Sequence, residues 1–142
     1  MIDRFRDEYE FLSNFYPVEV EWEGQVYATV EHAYQAAKFA DPVRRSIIQR
    51  AFTPGRAKRA AQRMAGFQRE GWHEIKIHVM DGLLYQKFGH AHLAERLVQT
   101  YPHDLVEGNN HRDTFWGVCD GVGENRLGVA LMRIRDELRD LL

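Results

Sequence analysis

A chain of 142 residues, 44% hydrophobic and 28% charged, has the length and balance of one globular domain able to bury its own core. Its net charge of −2 selects no class of partner. The single cysteine, Cys119, excludes an internal disulfide framework and a cysteine-cluster metal site, and no apolar run reaches membrane-spanning length. The charged opening MIDRFRDEYEF does not read as a signal peptide, so a cytoplasmic protein is expected.

In chain order, VEVEWEGQVYAT sets Val18, Val20 and Trp22 against Glu19, Glu21 and Glu23 and turns at Gly24. This alternation predicts a strand and a hairpin, with Val26 starting the return strand. Thr29 is a good N-cap for a helix from Val30 to about Ala40. Asp41-Pro42 and Thr53-Pro54 each signal a further helix with proline in its first turn. From Trp72, the residues Ile75, Val79, Leu83 and Leu84 make an apolar helical stripe down to about Phe88. A short helix is predicted around Leu93 to Thr100, ended by Tyr101-Pro102. VEGNNHRDTFWGVCDGVGEN reads as loop. Leu127, Leu131, Ile134, Leu138 and Leu141 mark a closing amphipathic helix. No internal repeat, low-complexity tract or linker interrupts the chain, so a single domain over residues 1–142 is expected. The class is α+β: mostly helical, with a small antiparallel sheet near the N-terminus.

Charge is unevenly spread. Acids outnumber bases from Met1 to Glu31, whereas Pro42 to Arg69 contains arginines and a lysine but no acid. That window is either a solvated helical face or a surface that receives a phosphate group.

In TVEHAYQAAKF a helical step places Val30, Ala33, Tyr34, Ala37 and Ala40 on one face, with Glu31, Gln35 and Lys38 on a stripe at its flank. A polar stripe bordering the core is either a groove wall or a solvated stripe. Glu31 lies in the first turn, where the helix dipole stabilises a carboxylate by about 0.3–1 kcal/mol and keeps it ionised. Such a group suits a base or a partner for a developing cation.

Seven histidines provide no His-Glu-x-x-His spacing, so no metal and no cofactor are expected. No Gly-x-Ser-x-Gly elbow is present. GVGENRLG fits neither the dinucleotide fingerprint nor the P-loop. It is either a phosphate-cradling turn or a plain turn with Asn125 as N-cap. Trp72 and Trp116 sit near predicted element ends, either as core anchors or as planes on which a base stacks.

Taken together, FLSNF, TVEHAYQAAKF, Trp72 followed by Lys76 and Met80, KF at 87–88, LVEGNNHRDTFWG and GENRLGVALMRIR resemble the NADAR family in order, from about Phe11 to Leu138. The family includes bacterial enzymes that cleave the N-glycosidic bond of reactive riboflavin-pathway intermediates. Other members remove ADP-ribose from modified guanine bases of nucleic acid. The resemblance implies a compact α+β domain and a metal-free N-glycosidase acting on a ribosyl-linked base or amine. It carries over Glu31, Lys38, Trp72, Asp113, Trp116, Gly117, Asp120, Asn125 and Gly128, with Ser13 and Asn14 from the first motif. Glu124 departs from the basic residue that relatives often carry.

Breaking a C–N ribosyl bond builds positive charge on the sugar. Glu31, Lys38 and Asp120 are the candidate catalytic residues. Glu31 would stabilise that charge and orient water. Lys38 would bind a phosphate or hydroxyl as a point charge, or attack the ring-opened aldehyde to give a Schiff base. Ser13, Asn14, Tyr34, Gln35, Trp72, Trp116, Gly117, Asn125 and Arg126 are the candidate substrate-binding residues. The expected partner is a ribosyl substrate, free or attached to nucleic acid such as ADP-ribosylated DNA. The competing expectation is a module that binds ADP-ribose or a nucleotide without turning it over.

Overall fold

The computed structural model describes residues 1–141. Strands β1 (Val20–Trp22) and β2 (Gln25–Tyr27) precede helices α1 (Val30–Ala37), α2 (Pro42–Gln49), α3 (Pro54–Arg63) and α4 (Trp72–Lys87). Then come α5 (Ala91–Gln99), β3 (Gly108–Asn109), β4 (Val118–Cys119) and α6 (Arg126–Leu141), with 3-10 turns at Asp7–Leu12 and Ala65–Phe67. The class is α+β, with the antiparallel β1–β2 pair near the N-terminus as expected. The chain forms two compact units, Asn14–Lys87 on the one hand, and Met1–Ser13 with the chain from Phe88 onward on the other.

In the first of these units, β1 and β2 pair Val20 with Tyr27 and Trp22 with Gln25. Only Glu23 and Gly24 join them, both at positive φ (45° and 84°), as the tight hairpin turn demands. That register buries Val20 and Tyr27 and leaves Val26 exposed. The Thr29 hydroxyl accepts from the His32 N–H and starts α1 where the sequence predicts.

The helix stops at Ala37, short of the expected Ala40. The Lys38 and Phe39 N–H groups donate to the Gln35 and Ala36 carbonyls at 3.3 and 3.1 Å, which tightens the last turn. Beyond the turn, the Lys38 carbonyl accepts from the Arg69 N–H at 2.7 Å, and the Phe39 carbonyl accepts from the Arg45 guanidinium.

α1 packs against both strands of the hairpin and against α2, α3 and α4. Every residue from Val30 to Ala37 is therefore buried. A solvated stripe is excluded for Glu31 and Gln35. The periodicity detected the apolar face but not the elements that cover the polar flank.

α2 and α3 have the expected caps, Asp41 and Thr53, each followed by proline. The acid-free window after Asp41 is partly a clamp. Arg45 and Arg69 pair with Glu23, while Arg44 pairs with Asp41 and lies 3.7 Å from the Phe67 ring centroid. Burial pushes the Glu23 carboxyl up, but the Arg45 and Arg69 guanidiniums outweigh it and hold the group below its ordinary range. Arg50, Arg59 and Arg63 are exposed. α4 buries Val79, Met80, Leu83 and Leu84 and continues that stripe into Lys87, which is 0% exposed.

In the other unit α5 packs against α6. Leu93 and Leu97 of α5 are buried, as are Leu127, Ala130, Leu131 and Ile134 of α6. The predicted closing stripe ends early, because Leu138 is only half-buried and Leu141 is exposed. α5 has nine residues and α6 sixteen, so at about 1.5 Å per residue the shorter helix cannot cover the longer one. The segment read as loop contains a short parallel pair, Gly108 with Val118 and Asn109 with Cys119.

Candidate functional site

Glu31 is fixed from both ends. Its backbone N–H, one of the donors a helix start leaves without an intrahelical partner, donates to the Asn14 carbonyl at 3.0 Å. One turn on, the Gln35 Nε2 donates to the Glu31 Oε2 at 2.7 Å. Glu31 is 8% exposed and Gln35 4%. An ionised carboxylate can only accept, so Gln35 must present its nitrogen and turn Oε1 away. That buried Oε1 has no partner. Asn14, 8% exposed, repeats the pattern. Its Nδ2 points at the Met80 sulfur at 3.6 Å, and its buried Oδ1 has no partner. Asn14, Glu31 and Gln35 thus form one chain of contacts that ends in two unanswered acceptors.

A second group of contacts lies on the same helix. The rings of Tyr34 and Trp72 lie 5.2 Å apart, inclined at 59°. The Lys38 Nζ lies 5.5 Å from the Tyr34 ring centroid, within cation–π range. Trp72 is 4% exposed, so most of its surface anchors the core, as one of the two sequence readings had it. His32, next to Glu31, is structural: Nδ1 meets the Thr29 hydroxyl at 2.8 Å and Nε2 meets the Ala51 carbonyl at 3.0 Å. Lys87 belongs to the KF motif at 87–88 and is buried. Its place three residues after Leu84, on the buried stripe, was the signal available, and its Nζ lies 5.7 Å from the Tyr16 ring centroid.

The remaining candidates lie in the other unit. Ser13 is half-buried and donates its N–H to the Glu10 carbonyl at the end of the first 3-10 turn. Asn109 organises the loop after β3. Its Nδ2 donates to the Asp113 carbonyl at 2.9 Å, and its Oδ1 accepts from the Asp113 N–H at 3.0 Å. Asp113 in turn accepts from the Phe115 and Trp116 N–H groups at 3.1 and 2.9 Å. Trp116 is half-buried and packs edge-on against Phe115. Gly117 is glycine for packing, since a β-carbon there would strike the Glu107 carbonyl and lie 2.7 Å from the Asn109 amide nitrogen.

Asn125 stands at the N-cap position of α6, its carbonyl accepting from the Val129 N–H at 2.9 Å, but its side chain does not cap the helix. Its backbone is left-handed (φ 51°) and its side chain turns back to clamp the preceding strand region. Oδ1 accepts from the Glu107 N–H and Nδ2 donates to the Leu105 carbonyl, both at 2.9 Å. The phosphate-cradle reading fails for a related reason. The N–H groups of Glu124, Asn125, Arg126 and Leu127 donate to the carbonyls of Thr114, Gly117, Phe115 and Trp116, so they are already occupied. Asp120 is exposed and, with Gly121, forms a tight turn at φ 52° and 76°, closed by reciprocal bonds between Cys119 and Val122. Arg126 is exposed and pairs with Glu124 at 3.0 Å. Among the described residues, no three His, Cys, Asp or Glu gather as metal ligands, and no helix is long and apolar enough to cross a membrane.

A family model described as the NADAR domain matches residues 3–139. The protein named N-glycosidase YbiA of Escherichia coli (strain K12) is 37% identical over 134 residues, covering 93% of this chain and 83% of that protein. The riboflavin biosynthesis protein VVA0006 of Vibrio vulnificus (strain YJ016) is 36% identical over 136 residues. That match covers 94% of this chain but 37% of the Vibrio protein, so the chain spans little more than a third of that relative. The NMR structure of the E. coli protein YbiA matches with a TM-score of 0.84 at 35% identity, covering 99% of this chain and 88% of that one.

Proposed function

The chain belongs to the NADAR domain family, and on that premise we propose that it is an N-glycosidase that hydrolyses the bond between ribose C1′ and the nitrogen of a base or amine. The substrate class we infer is a phosphoribosylamino-pyrimidine of the riboflavin route. The names carried by the relatives, N-glycosidase and riboflavin biosynthesis protein, support that choice.

The carrying observation is Glu31, a buried carboxylate in a helix's first turn, tethered by Gln35 and the Asn14 carbonyl. A rigid carboxylate stabilises the positive charge that develops at C1′ and accepts a proton from the attacking water. The water oxygen bonds to C1′, the C1′–N bond breaks, and the departing nitrogen ends protonated. Tyr34 and Trp72 supply an aromatic wall near the same helix, and Lys38 a cation.

The test is product analysis. Incubation with a phosphoribosylamino-pyrimidine should release free pyrimidine and ribose 5-phosphate, whereas an ADP-ribosylated guanosine in parallel should be spared. Binding without release would favour the nucleotide-binding module, and release from the ADP-ribosyl compound alone would reassign the substrate.

Once deprotonated, Lys38 also condenses with the C1′ aldehyde of the ring-opened ribose 5-phosphate: its nitrogen bonds to C1′, water leaves, and a second water hydrolyses the imine to release the sugar. Borohydride added during turnover should fix the sugar on the protein, with the mass gain mapped to Lys38. An untrappable enzyme with an active Lys38→Arg variant would leave the lysine as a point charge.

A further inference from the structure

Asn14 and Gln35 each bury an oxygen to which nothing donates. A buried acceptor cut off from water forfeits a hydrogen bond, so folded proteins seldom keep one without a use. Both residues touch Glu31 directly, one through its carbonyl and one through its amide nitrogen. Their nitrogens face the Met80 sulfur and the Glu31 carboxylate, so only oxygens are left unanswered. Both of these unanswered atoms are acceptors. Such a set disfavours phosphate, which brings more acceptors, and calls for hydroxyl or N–H donors.

A substrate that puts C1′ beside Glu31 carries its 2′-hydroxyl on the adjoining carbon and its 3′-hydroxyl on the next. Resting on the N-glycosidase reading, we propose that the Asn14 Oδ1 and the Gln35 Oε1 accept from the ribose 2′- and 3′-hydroxyls. The site is then specific for ribosyl compounds against 2-deoxyribosyl ones. Bonds to the 2-hydroxyl also strengthen as charge develops on the sugar. A site built to bond a hydroxyl rejects the analogue that lacks it, because its own polar group is again left unpaired.

Calorimetry with ribose 5-phosphate and 2-deoxyribose 5-phosphate tests this without turnover. The wild type should prefer the ribose sugar by about 10–100-fold, the range set by one buried hydrogen bond. Of Asn14→Ala and Gln35→Met, the variant that loses the acceptor of the 2-hydroxyl should lower the preference toward unity by weakening the ribose sugar, and the other, losing the bond to the 3-hydroxyl that both sugars carry, should weaken both alike. Asn14→Ala keeps the backbone carbonyl that holds Glu31, which guards against loss of the fold. Equal affinities in the wild type, or a preference unchanged in both variants, would overturn the assignment. Turnover separates this inference from the reading beneath it. Cleavage of ribosyl and 2′-deoxyribosyl substrates at equal rates would sink the diol site and leave the glycosidase. A sugar preference without any cleavage would support the diol site and sink the glycosidase.

Discussion

Two regions of this protein use the same kinds of side chain in opposite ways. Around residues 105–127, Asn109, Asp113 and Asn125 spend their polar atoms on backbone groups of their own loop. Around Glu31, Asn14 and Gln35 each keep a buried oxygen with no donor. The first pattern is what a long irregular segment needs, since every buried backbone group must find a partner. The second costs stability and supplies no structure in return. The satisfied amides are explained by architecture, and the unsatisfied ones are the observation on which the proposed ligand site rests.

Asn125→Ala should have the largest effect on stability. It removes the partners of the Glu107 N–H and the Leu105 carbonyl and puts alanine at a left-handed backbone position. A loss of about 1–3 kcal/mol is expected, visible as a fall of several degrees in Tm. An unchanged Tm would remove Asn125 from the architectural class.

Asn14→Ala should behave differently. Only a weak contact to the Met80 sulfur is lost, together with an acceptor that had no donor. Stability should change by less than about 1 kcal/mol in either direction. A fall as large as that of Asn125→Ala would erase the distinction between the two regions.

Much of this was legible in the sequence, and the rest was not for identifiable reasons. The caps Thr29, Asp41 and Thr53 and the Glu23-Gly24 turn are local signals, and the helices and hairpin they predict are present. The burial of Glu31 and Gln35 was not legible, because it comes from α2, α3, α4 and the hairpin closing over α1. The role of Asn125 was missed because its partners, Leu105 and Glu107, are about twenty residues away. The N-cap rule weighs only local sequence. Asp120 stood among the candidate catalytic residues, yet its place in an exposed two-residue turn explains an Asp-Gly pair without chemistry.

The smallest effect should come from Glu23, a carboxylate that is paired but half open to water. Glu23→Gln removes the pairs with Arg45 and Arg69, which solvent screening limits to less than about 1 kcal/mol at pH 7. Because the folded group titrates below its ordinary range, this stabilisation is present above that range and fades as the pH falls through the folded value. The Tm gap between wild type and variant should therefore close in acid. A gap that widens in acid would mean that burial, not the arginines, controls the group.

The central claim is that the buried carboxylate of Glu31 performs the cleavage, and Glu31→Gln tests it most directly. The substitution keeps the shape and a hydrogen-bonding group beside Gln35 while removing the charge and the base. Single-turnover release of free pyrimidine from a phosphoribosylamino-pyrimidine should fall by about 10²–10⁴-fold. The Kd for ribose 5-phosphate and the Tm, measured on the same preparation, should stay near the wild-type values. Release at a near wild-type rate would contradict the account and place the chemistry elsewhere.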